Sequence, residues 1–135
     1  MIIKNHAVKT AFATFSFLCI LFHFVSPSQG SQDKQSPEYG HASWYAMTSI
    51  TANGERASPD TMTVAHKSLR FGTRIRVTNL RNSQSVVLCV NDRGPFIENR
   101  IVDVTKAAAQ KLGFVKSGWT EVRVDVVGHQ SNGCT

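Results

Sequence analysis

The chain has 135 residues, a formal net charge of +6 at pH 7 and three cysteines. This length accommodates a single domain, and so few cysteines exclude a disulfide-rich framework. The basic residues are scattered along the chain and are not clustered with aromatic residues, which argues against a nucleic-acid-binding protein. A mild basic excess suits an anionic polymer, such as a cell wall, as partner.

Residues 1–28 have the pattern of a secretory signal peptide. Lys4 and Lys9 precede an apolar run over residues 11–25, and small residues follow it. The run is roughly 15 residues long, against about 20 for a membrane-spanning helix, so cleavage is favoured over retention as an anchor. Cys19 follows a leucine, whereas a lipidated cysteine follows a small residue, which argues against a lipid anchor. We therefore predict an exported protein of the periplasm or cell envelope.

The remaining chain divides into three predicted parts. Residues 29–38 are polar and typical of a flexible tether, residues 39–128 form a domain, and residues 129–135 form a disordered tail. A buried strand and a disordered tail rarely meet, so we expect no disulfide between Cys89 and Cys134. The fold must then be stabilised by its core.

Short strands dominate the domain. Residues 73–80 alternate apolar and polar side chains, as in a strand with one solvated face, and residues 85–90 are apolar throughout, as in a buried strand. Thr105 and Gly113 are typical of the first and last caps of a helix. The predicted elements are strands over 40–46, 73–80, 85–90, 100–104 and 120–127, a long polar loop over 48–61, a short helix within 62–69 and a clear helix over 106–112. This pattern predicts a mainly β fold, a small closed barrel, because closure removes exposed strand edges.

Asp92 is the most informative titratable residue, because it ends the buried strand and precedes a Gly-Pro turn. A carboxyl at that position is partly desolvated, which favours its protonated form. Such a group can donate a proton to a leaving oxygen, as glycoside cleavage requires. The alternative is an aspartate that caps the turn and pairs with Arg93.

Four other residues have weaker signals. Glu55 is either a second carboxyl or sugar-hydroxyl acceptor, or a solvated loop residue. His66 either orients a carboxyl or holds a sugar hydroxyl, or is a packed histidine satisfied by backbone groups. Asp103 is predicted to be structural, near a helix N-terminus. Cys89 is predicted to be a packing residue, and the histidines lack paired ligand spacing, so we predict no metal site and no cofactor.

Several blocks of sequence occur in one order and carry a family resemblance. They are Gly40-His41-Ala42-Ser43-Trp44-Tyr45, Thr51-Ala52-Asn53-Gly54-Glu55, Ala65-His66-Lys67-Ser68-Leu69, Phe71-Gly72-Thr73, Arg76-Val77-Thr78-Asn79-Leu80, Asn91-Asp92-Arg93-Gly94-Pro95-Phe96 and Arg100-Ile101-Val102-Asp103-Val104. The series resembles the rare lipoprotein A family, the septal-ring endolytic peptidoglycan transglycosylases of bacteria. The match covers nearly all of residues 39–127.

The resemblance implies a six-stranded double-psi β-barrel with one or two short helices. It implies cleavage of the β-1,4 bond between N-acetylmuramic acid and N-acetylglucosamine in peptidoglycan, giving 1,6-anhydromuramic ends without a cofactor. The essential residues of the family fall on Glu55, His66 and Asp92, with Asp92 as acid and then base.

The resemblance also implies substrate contacts and partners. Tyr45 and Phe96 would offer apolar faces to sugar rings, Arg93 and Arg100 would meet carboxylates, and Asn53 is a further substrate-binding residue. The implied partners are peptidoglycan glycan strands and the cell-division machinery, and a monomer is expected.

The chain also departs from the family pattern. It lacks the lipobox of many members and a following glycan-binding repeat domain, which argues against outer-membrane anchoring and septal targeting. Ala46 stands where glycine is usual, and Cys89 stands where a basic residue is usual. Two alternatives to a transglycosylase stay open: a non-catalytic, expansin-like wall-binding module, and a hydrolase in which Glu55 activates water opposite Asp92.

Overall fold

The structure is a computed structural model, and it describes residues 35–134. The predicted signal peptide and most of the predicted tether lie outside the described residues. The elements are β1 (Glu38–Tyr45), β2 (Thr63–His66), β3 (Thr73–Asn79), β4 (Ser85–Asp92), β5 (Arg100–Thr105), α1 (Lys106–Leu112) and β6 (Trp119–His129). Within this part of the chain, no helix is long and apolar enough to cross a membrane.

The six strands close into a barrel in the order β1-β5-β2-β4-β3-β6. Strands β1 and β5 pair in parallel, as do β2 and β4, and the other four pairs are antiparallel. The predicted mainly β class and closed barrel are therefore confirmed, and β3 and β4 form an antiparallel hairpin within the barrel.

Alternation along the strands separates a dry interior from an outer face. Branched apolar residues at buried strand positions fill the barrel: Val64, Ile75, Val77, Leu88, Val90, Val102, Val104, Val122 and Val124. Residues one position away from them lie on the outer face. That face includes Ser43, Cys89 and Asp103, and it therefore carries the polar chemistry.

Helix α1 has the caps that the sequence predicted. Thr105 accepts a hydrogen bond from the main-chain N–H of Ala108 at 3.4 Å, and Gly113 adopts the left-handed conformation at φ 77°. The helix buries Ala108 and Leu112 against the core.

The predicted helix within residues 62–69 is wrong, because Thr63–His66 form strand β2. All four residues are buried, and Val64 pairs with Val90 of β4 on one side and with Val104 of β5 on the other. Two ladders of main-chain hydrogen bonds outweigh the weak local preference of so short a segment.

The predicted absence of a disulfide is also wrong, since Cys89 and Cys134 are bonded with their Cα atoms 5.5 Å apart. Cys89 lies in a buried strand but on its outer face, where a second chain segment can reach it. The segment that leads to Cys134 is also bonded to the barrel, because the main-chain N–H of Gln130 donates to the carbonyl of Gly72 at 2.8 Å. The chain then turns back, and Cys134 lies against β4.

Candidate active site

A β-bulge at the end of β4 determines where Asp92 lies. Val64 pairs with Val90 and Ala65 pairs with Asp92, so Asn91 has no counterpart on β2. Without the extra residue, alternation would direct Asp92 to the same side as Val90, into the barrel. The bulge moves the side chain to the outer face instead, which is a common use of bulges beside active sites.

The two carboxylate oxygens of Asp92 differ in their contacts. Oδ1 accepts hydrogen bonds from the main-chain N–H groups of Ala52 and Arg93, both at 2.9 Å. Among residues 35–134, no group donates to Oδ2. When Asp92 is protonated, the proton therefore lies on Oδ2, because Oδ1 already faces two donors.

The loop that contains Glu55 is docked on the same end of β4. Its turn closes through the main-chain N–H of Thr51, which donates to the carbonyl of Glu55 at 2.8 Å. The N–H of Asn53 donates to the carbonyl of Asn91 at 3.2 Å. Together with the contact between Ala52 and Asp92, these bonds bring Glu55 and Asp92 to one site.

Both oxygens of the Glu55 carboxylate have protein donors. Oε1 accepts from the main-chain N–H of Cys134 at 2.8 Å, and Oε2 accepts from Nδ2 of Asn91 at 3.1 Å. Partial burial alone would raise the pKa of Glu55, but the hydrogen bonds from Cys134, Asn91 and Asn53 outweigh it and lower the pKa. Glu55 is thus an ionised acceptor in a fixed orientation.

Asn53 uses its side chain inside this loop. Its Oδ1 accepts from the hydroxyl of Thr51 at 2.6 Å and from the main-chain N–H of Glu55 at 3.0 Å. The predicted contact of Asn53 with substrate remains a prediction. In the described residues, the side-chain oxygen Oδ1 of Asn53 stabilises the turn that contains Glu55.

His66 is a packed histidine, 2% exposed, and among residues 35–134 its ring makes no hydrogen bond with Asp92 or Glu55. Nδ1 accepts from the main-chain N–H groups of Ser68 and Leu69 at 3.2 and 3.1 Å. The ring is therefore neutral with its proton on Nε2, which donates to Oε2 of Glu38 at 3.2 Å. Backbone groups satisfy the ring as one of the two sequence interpretations expected, so a role in catalysis for His66 remains a prediction.

Arg93 does not pair with Asp92, because its guanidinium lies elsewhere. Nη1 donates to the carbonyl of Leu69 at 2.9 Å, and the guanidinium carbon lies 3.8 Å from the centre of the Phe71 ring. A weaker bond at 3.4 Å runs to the carbonyl of His66. Arg93 therefore ties the strand end of Asp92 to the segment after β2, and the expected ion pair with Asp92 does not form.

Asp103 belongs to the candidate site, although the sequence indicated a structural role. Ala65 pairs with Asp92 on one side and with Asp103 on the other, so both aspartates lie in one row across the outer face. The Asp103 carboxylate accepts from the hydroxyl of Ser43 and from Nη2 of Arg100. The available signal was the alternation of β5, which sets Asp103 opposite the core positions Val102 and Val104.

Tyr45 and Phe96 supply the aromatic groups near this row. The hydroxyl of Tyr45 is buried and has no hydrogen-bond partner among residues 35–134. Burial raises the pKa of Tyr45, the nearby Thr63 side chain offsets part of this rise, and the charges of Asp92 and Asp103 add to it, so the phenol stays protonated. Phe96 is 82% exposed and presents an apolar ring to solvent.

The outer face thus combines the Asp92 carboxyl with its free Oδ2, the fixed Glu55 carboxylate and the ion pair of Arg100 with Asp103. A family model described as lytic transglycolase matches residues 38–124, which is more than half of the chain. The chain belongs to the lytic transglycolase family. The closed barrel of this lytic transglycolase chain is the double-psi β-barrel that the resemblance implied.

Curated relatives of this lytic transglycolase chain carry one name. The chain is 55% identical over 78 residues to a probable endolytic peptidoglycan transglycosylase RlpA of Nostoc sp., and the match covers 58% of this chain and 21% of that protein. It is 46% identical over 100 residues to the endolytic peptidoglycan transglycosylase RlpA of Neisseria meningitidis serogroup B, covering 72% of this chain and 42% of the relative. The chain thus spans less than half the length of these relatives.

Solved structures share the barrel with the lytic transglycolase chain at low identity. The Streptomyces papain inhibitor superimposes with a TM-score of 0.60 at 17% identity, covering 70% of this chain and 97% of the inhibitor. The apo form of an expansin from Clavibacter michiganensis superimposes with a TM-score of 0.57 at 22% identity, covering 72% of this chain and 53% of the expansin. At these identities the likeness concerns the fold alone.

Proposed function

We propose that this barrel is a peptidoglycan lytic transglycosylase that cleaves the β-1,4 bond between N-acetylmuramic acid and N-acetylglucosamine, with Asp92 as acid and then base. One observation carries the proposal: two main-chain N–H groups hold Oδ1 of Asp92, and Oδ2 is left free on the outer face. The family, and the names of relatives that share up to 55% identity, support this chemistry.

The reaction needs one proton-carrying carboxyl. Oδ2 of Asp92 donates its proton to the glycosidic oxygen, and the bond from that oxygen to C1 of muramic acid breaks. Positive charge develops at C1. The oxygen of the 6-hydroxyl of the same sugar then bonds to C1, and its proton passes to Oδ2 of Asp92. The anhydro ring closes without water, and Asp92 returns to its starting state.

The neighbouring groups hold the sugar in this geometry. Glu55 accepts a hydrogen bond from a sugar hydroxyl, since its ionised carboxylate is fixed but still has free lone pairs. The half-buried ring of Tyr45 offers an apolar face to a sugar ring. The exposed ring of Phe96 packs on a sugar face, and Arg100 meets a muramic or peptide carboxylate.

Asn53, His66 and Arg93 act through other residues in this proposal. Asn53 shapes the turn that presents Glu55, and Arg93 connects the end of β4 to the carbonyl groups after β2. His66 holds that same segment through its Nδ1. Their effect on the reaction is therefore one of positioning.

The proposal includes a place and partners for the protein. A secreted peptidoglycan enzyme works in the periplasm or cell envelope, in agreement with the signal-peptide pattern over residues 1–28. Peptidoglycan glycan strands are the substrate, the cell-division machinery is the proposed protein partner, and a monomer suffices because one chain contributes every group named above.

A wall-binding module without activity is the second candidate. An expansin from Clavibacter michiganensis, solved as a point mutant in complex with cellohexaose, has the same fold with a TM-score of 0.54 at 20% identity. The long row of polar and aromatic groups on the outer face suits a polysaccharide in either case. A hydrolase is disfavoured, because the hydrogen bonds that lower the pKa of Glu55 also make it a weaker general base for activating water.

The deciding experiment is mass spectrometry of the products formed from purified sacculi and from peptide-free glycan strands. The wild type is compared with Asp92→Asn and with Asp60→Asn, a matched control at an exposed aspartate of the same loop region. Anhydromuramic products from the wild type and Asp60→Asn, but not from Asp92→Asn, support the proposal. Reducing-end products mean hydrolysis. Co-sedimentation with sacculi without any soluble product means a binding module.

A further inference from the structure

The end of the described chain forms a clasp over Glu55. We define the clasp as residues 130–134, which begin at a main-chain hydrogen bond from Gln130 to Gly72 of 2.8 Å and end at the disulfide to Cys89. From this position the main-chain N–H of Cys134 donates to Oε1 of Glu55 at 2.8 Å. The clasp therefore joins the start of β3, the outer face of β4 and the candidate site.

Gly133 brings the clasp into direct contact with the same carboxylate oxygen. A Cβ atom at this position would lie 2.7 Å from Oε1 of Glu55, closer than real Cβ contacts allow. The residue also has φ of +84°, which a side chain disfavours. The close approach thus depends on glycine, and this glycine lies next to the residue that donates the hydrogen bond.

The disulfide is the main restraint on the donor. Among the described residues, two polar contacts join residues 131–134 to the rest of the chain: the N–H of Cys134 donates to Oε1 of Glu55 at 2.8 Å, and Sγ of Cys134 lies 3.3 Å from the carbonyl oxygen of Val90. These residues have no regular secondary structure. Without the bond to Cys89, the only other anchors of Cys134 among the described residues would be its N–H bond to Glu55 and the contact of its sulfur with the carbonyl oxygen of Val90 at 3.3 Å.

We propose that Cys134 is a positioning residue for Glu55, and that its disulfide to Cys89 keeps its main-chain N–H against the Glu55 carboxylate. The proposal rests on the proposed function in so far as Glu55 contacts substrate. A glutamate on a loop samples several rotamers, and donors on both of its oxygens leave it one orientation. Asn91 supplies the donor to Oε2, and the clasp supplies the donor to Oε1.

The titration of Glu55 carries an independent signature of this contact. A hydrogen bond to the ionised carboxylate favours that form, and the bond from Cys134 is among the interactions that lower the pKa of Glu55. Release of the clasp should therefore raise the pKa of Glu55. A disulfide that only stabilises the fold would leave this pKa unchanged.

The test compares the wild type with the double variant Cys89→Ser and Cys134→Ser. The titration of the Glu55 side-chain carboxyl is followed by carbon-13 NMR, with its resonance assigned by Glu55→Gln. We expect a higher pKa of Glu55 in the double variant. We also expect about a tenfold lower kcat/KM on glycan strands, as for the loss of one hydrogen bond to a charged group, with the acid limb of the pH profile displaced to higher pH.

A second pair of variants keeps the disulfide intact. Gly133→Ala forces a methyl group against Oε1 of Glu55, whereas Gly118→Ala has a similar positive φ of +77° and no atom within 4 Å of its Cβ position. Thiol titration verifies the disulfide in both. We expect the Glu55 titration and the kcat/KM to change in Gly133→Ala and to remain as in wild type in Gly118→Ala. This pair carries the test if the cysteine variant does not fold.

The outcomes separate the two proposals. An unchanged Glu55 titration in the double variant and in Gly133→Ala overturns the clasp proposal, even if activity falls. A raised pKa of Glu55 supports it, and it does so even when no protein in the series releases product. In that last case the clasp stands and the transglycosylase proposal fails.

Discussion

Asp92 and Asp103 flank the same alanine, since Ala65 pairs with Asp92 of β4 on one side and with Asp103 of β5 on the other. Two strand spacings place their backbones about 10 Å apart. The surroundings of the two carboxylates differ: Arg100 pairs with Asp103, whereas no cationic side chain among residues 35–134 pairs with Asp92. This difference suits a proton carrier at Asp92 and an anchor at Asp103.

Asp92→Asn should abolish proton transfer and preserve the fold. The asparagine Oδ1 can still accept from the N–H groups of Ala52 and Arg93, but the amide cannot replace the proton on Oδ2. We expect kcat/KM on glycan strands to fall by about 10²- to 10⁴-fold, the usual contribution of a general acid. The Tm should stay within a few degrees of wild type. Full activity in this variant would remove Asp92 from the mechanism.

Asp103→Asn should weaken substrate binding more than turnover. The variant removes the charge that orients Arg100, so the guanidinium is no longer fixed for a substrate carboxylate. The matched control is Asp125→Asn, which breaks the ion pair with Arg123 on the outer face of β6. Steady-state kinetics should show a higher KM for Asp103→Asn alone. An equal effect of both substitutions would mean that Asp103 has a purely structural role.

Elements whose signals are local were predictable from the sequence. The period-2 alternation of β3 and β6 and the two caps of α1 lie within the elements themselves, and the structure confirms them. The strand character of Thr63–His66 is not visible in its local sequence, because it comes from pairing with β4 and β5, which lie elsewhere in the chain. Four residues carry too little periodicity to distinguish a strand from a helix.

The candidate site was only partly predictable for the same reason. The family resemblance indicates Asp92 and Glu55, but no local sequence pattern predicts the bulge at Asn91 that directs Asp92 to the outer face. The disulfide was missed because the return of the tail to β4 depends on the whole barrel. Sequence reasoning treats Cys134 as a tail residue, whereas the closed fold brings it to the carboxylate of Glu55.

Glu55→Gln should destabilise the protein at neutral pH but not in acid. A lowered pKa means that the folded state holds the ionised form more tightly than the unfolded chain, whose value is near 4.5. The resulting stability is present above that pH and is lost as pH falls through the lower pKa of the folded state. The glutamine also places its own N–H group against one of the two donors that contact Glu55 in wild type, the main-chain N–H of Cys134 or Nδ2 of Asn91.

Denaturant unfolding of Glu55→Gln and wild type between pH 3 and 7 checks this expectation, with the exposed Glu98→Gln as control. The free energies of unfolding of wild type and Glu55→Gln should converge towards the acid end. A constant gap across the range would show that ionisation of Glu55 does not contribute to stability.

Removal of the disulfide should lower the free energy of unfolding substantially. Cys89 and Cys134 lie 45 positions apart in the sequence, and closing a loop of that length restricts the unfolded chain by about 4 kcal/mol on the chain-entropy model. Urea unfolding of the double variant Cys89→Ser and Cys134→Ser should show a lower midpoint. Wild type in a dithiol reductant should match it, because both lose the same cross-link. A difference below about 1 kcal/mol in the free energy of unfolding between oxidised wild type and the double variant would be well short of the usual effect of a native disulfide. It would mean that the chain without the cross-link is held closed by its other contacts.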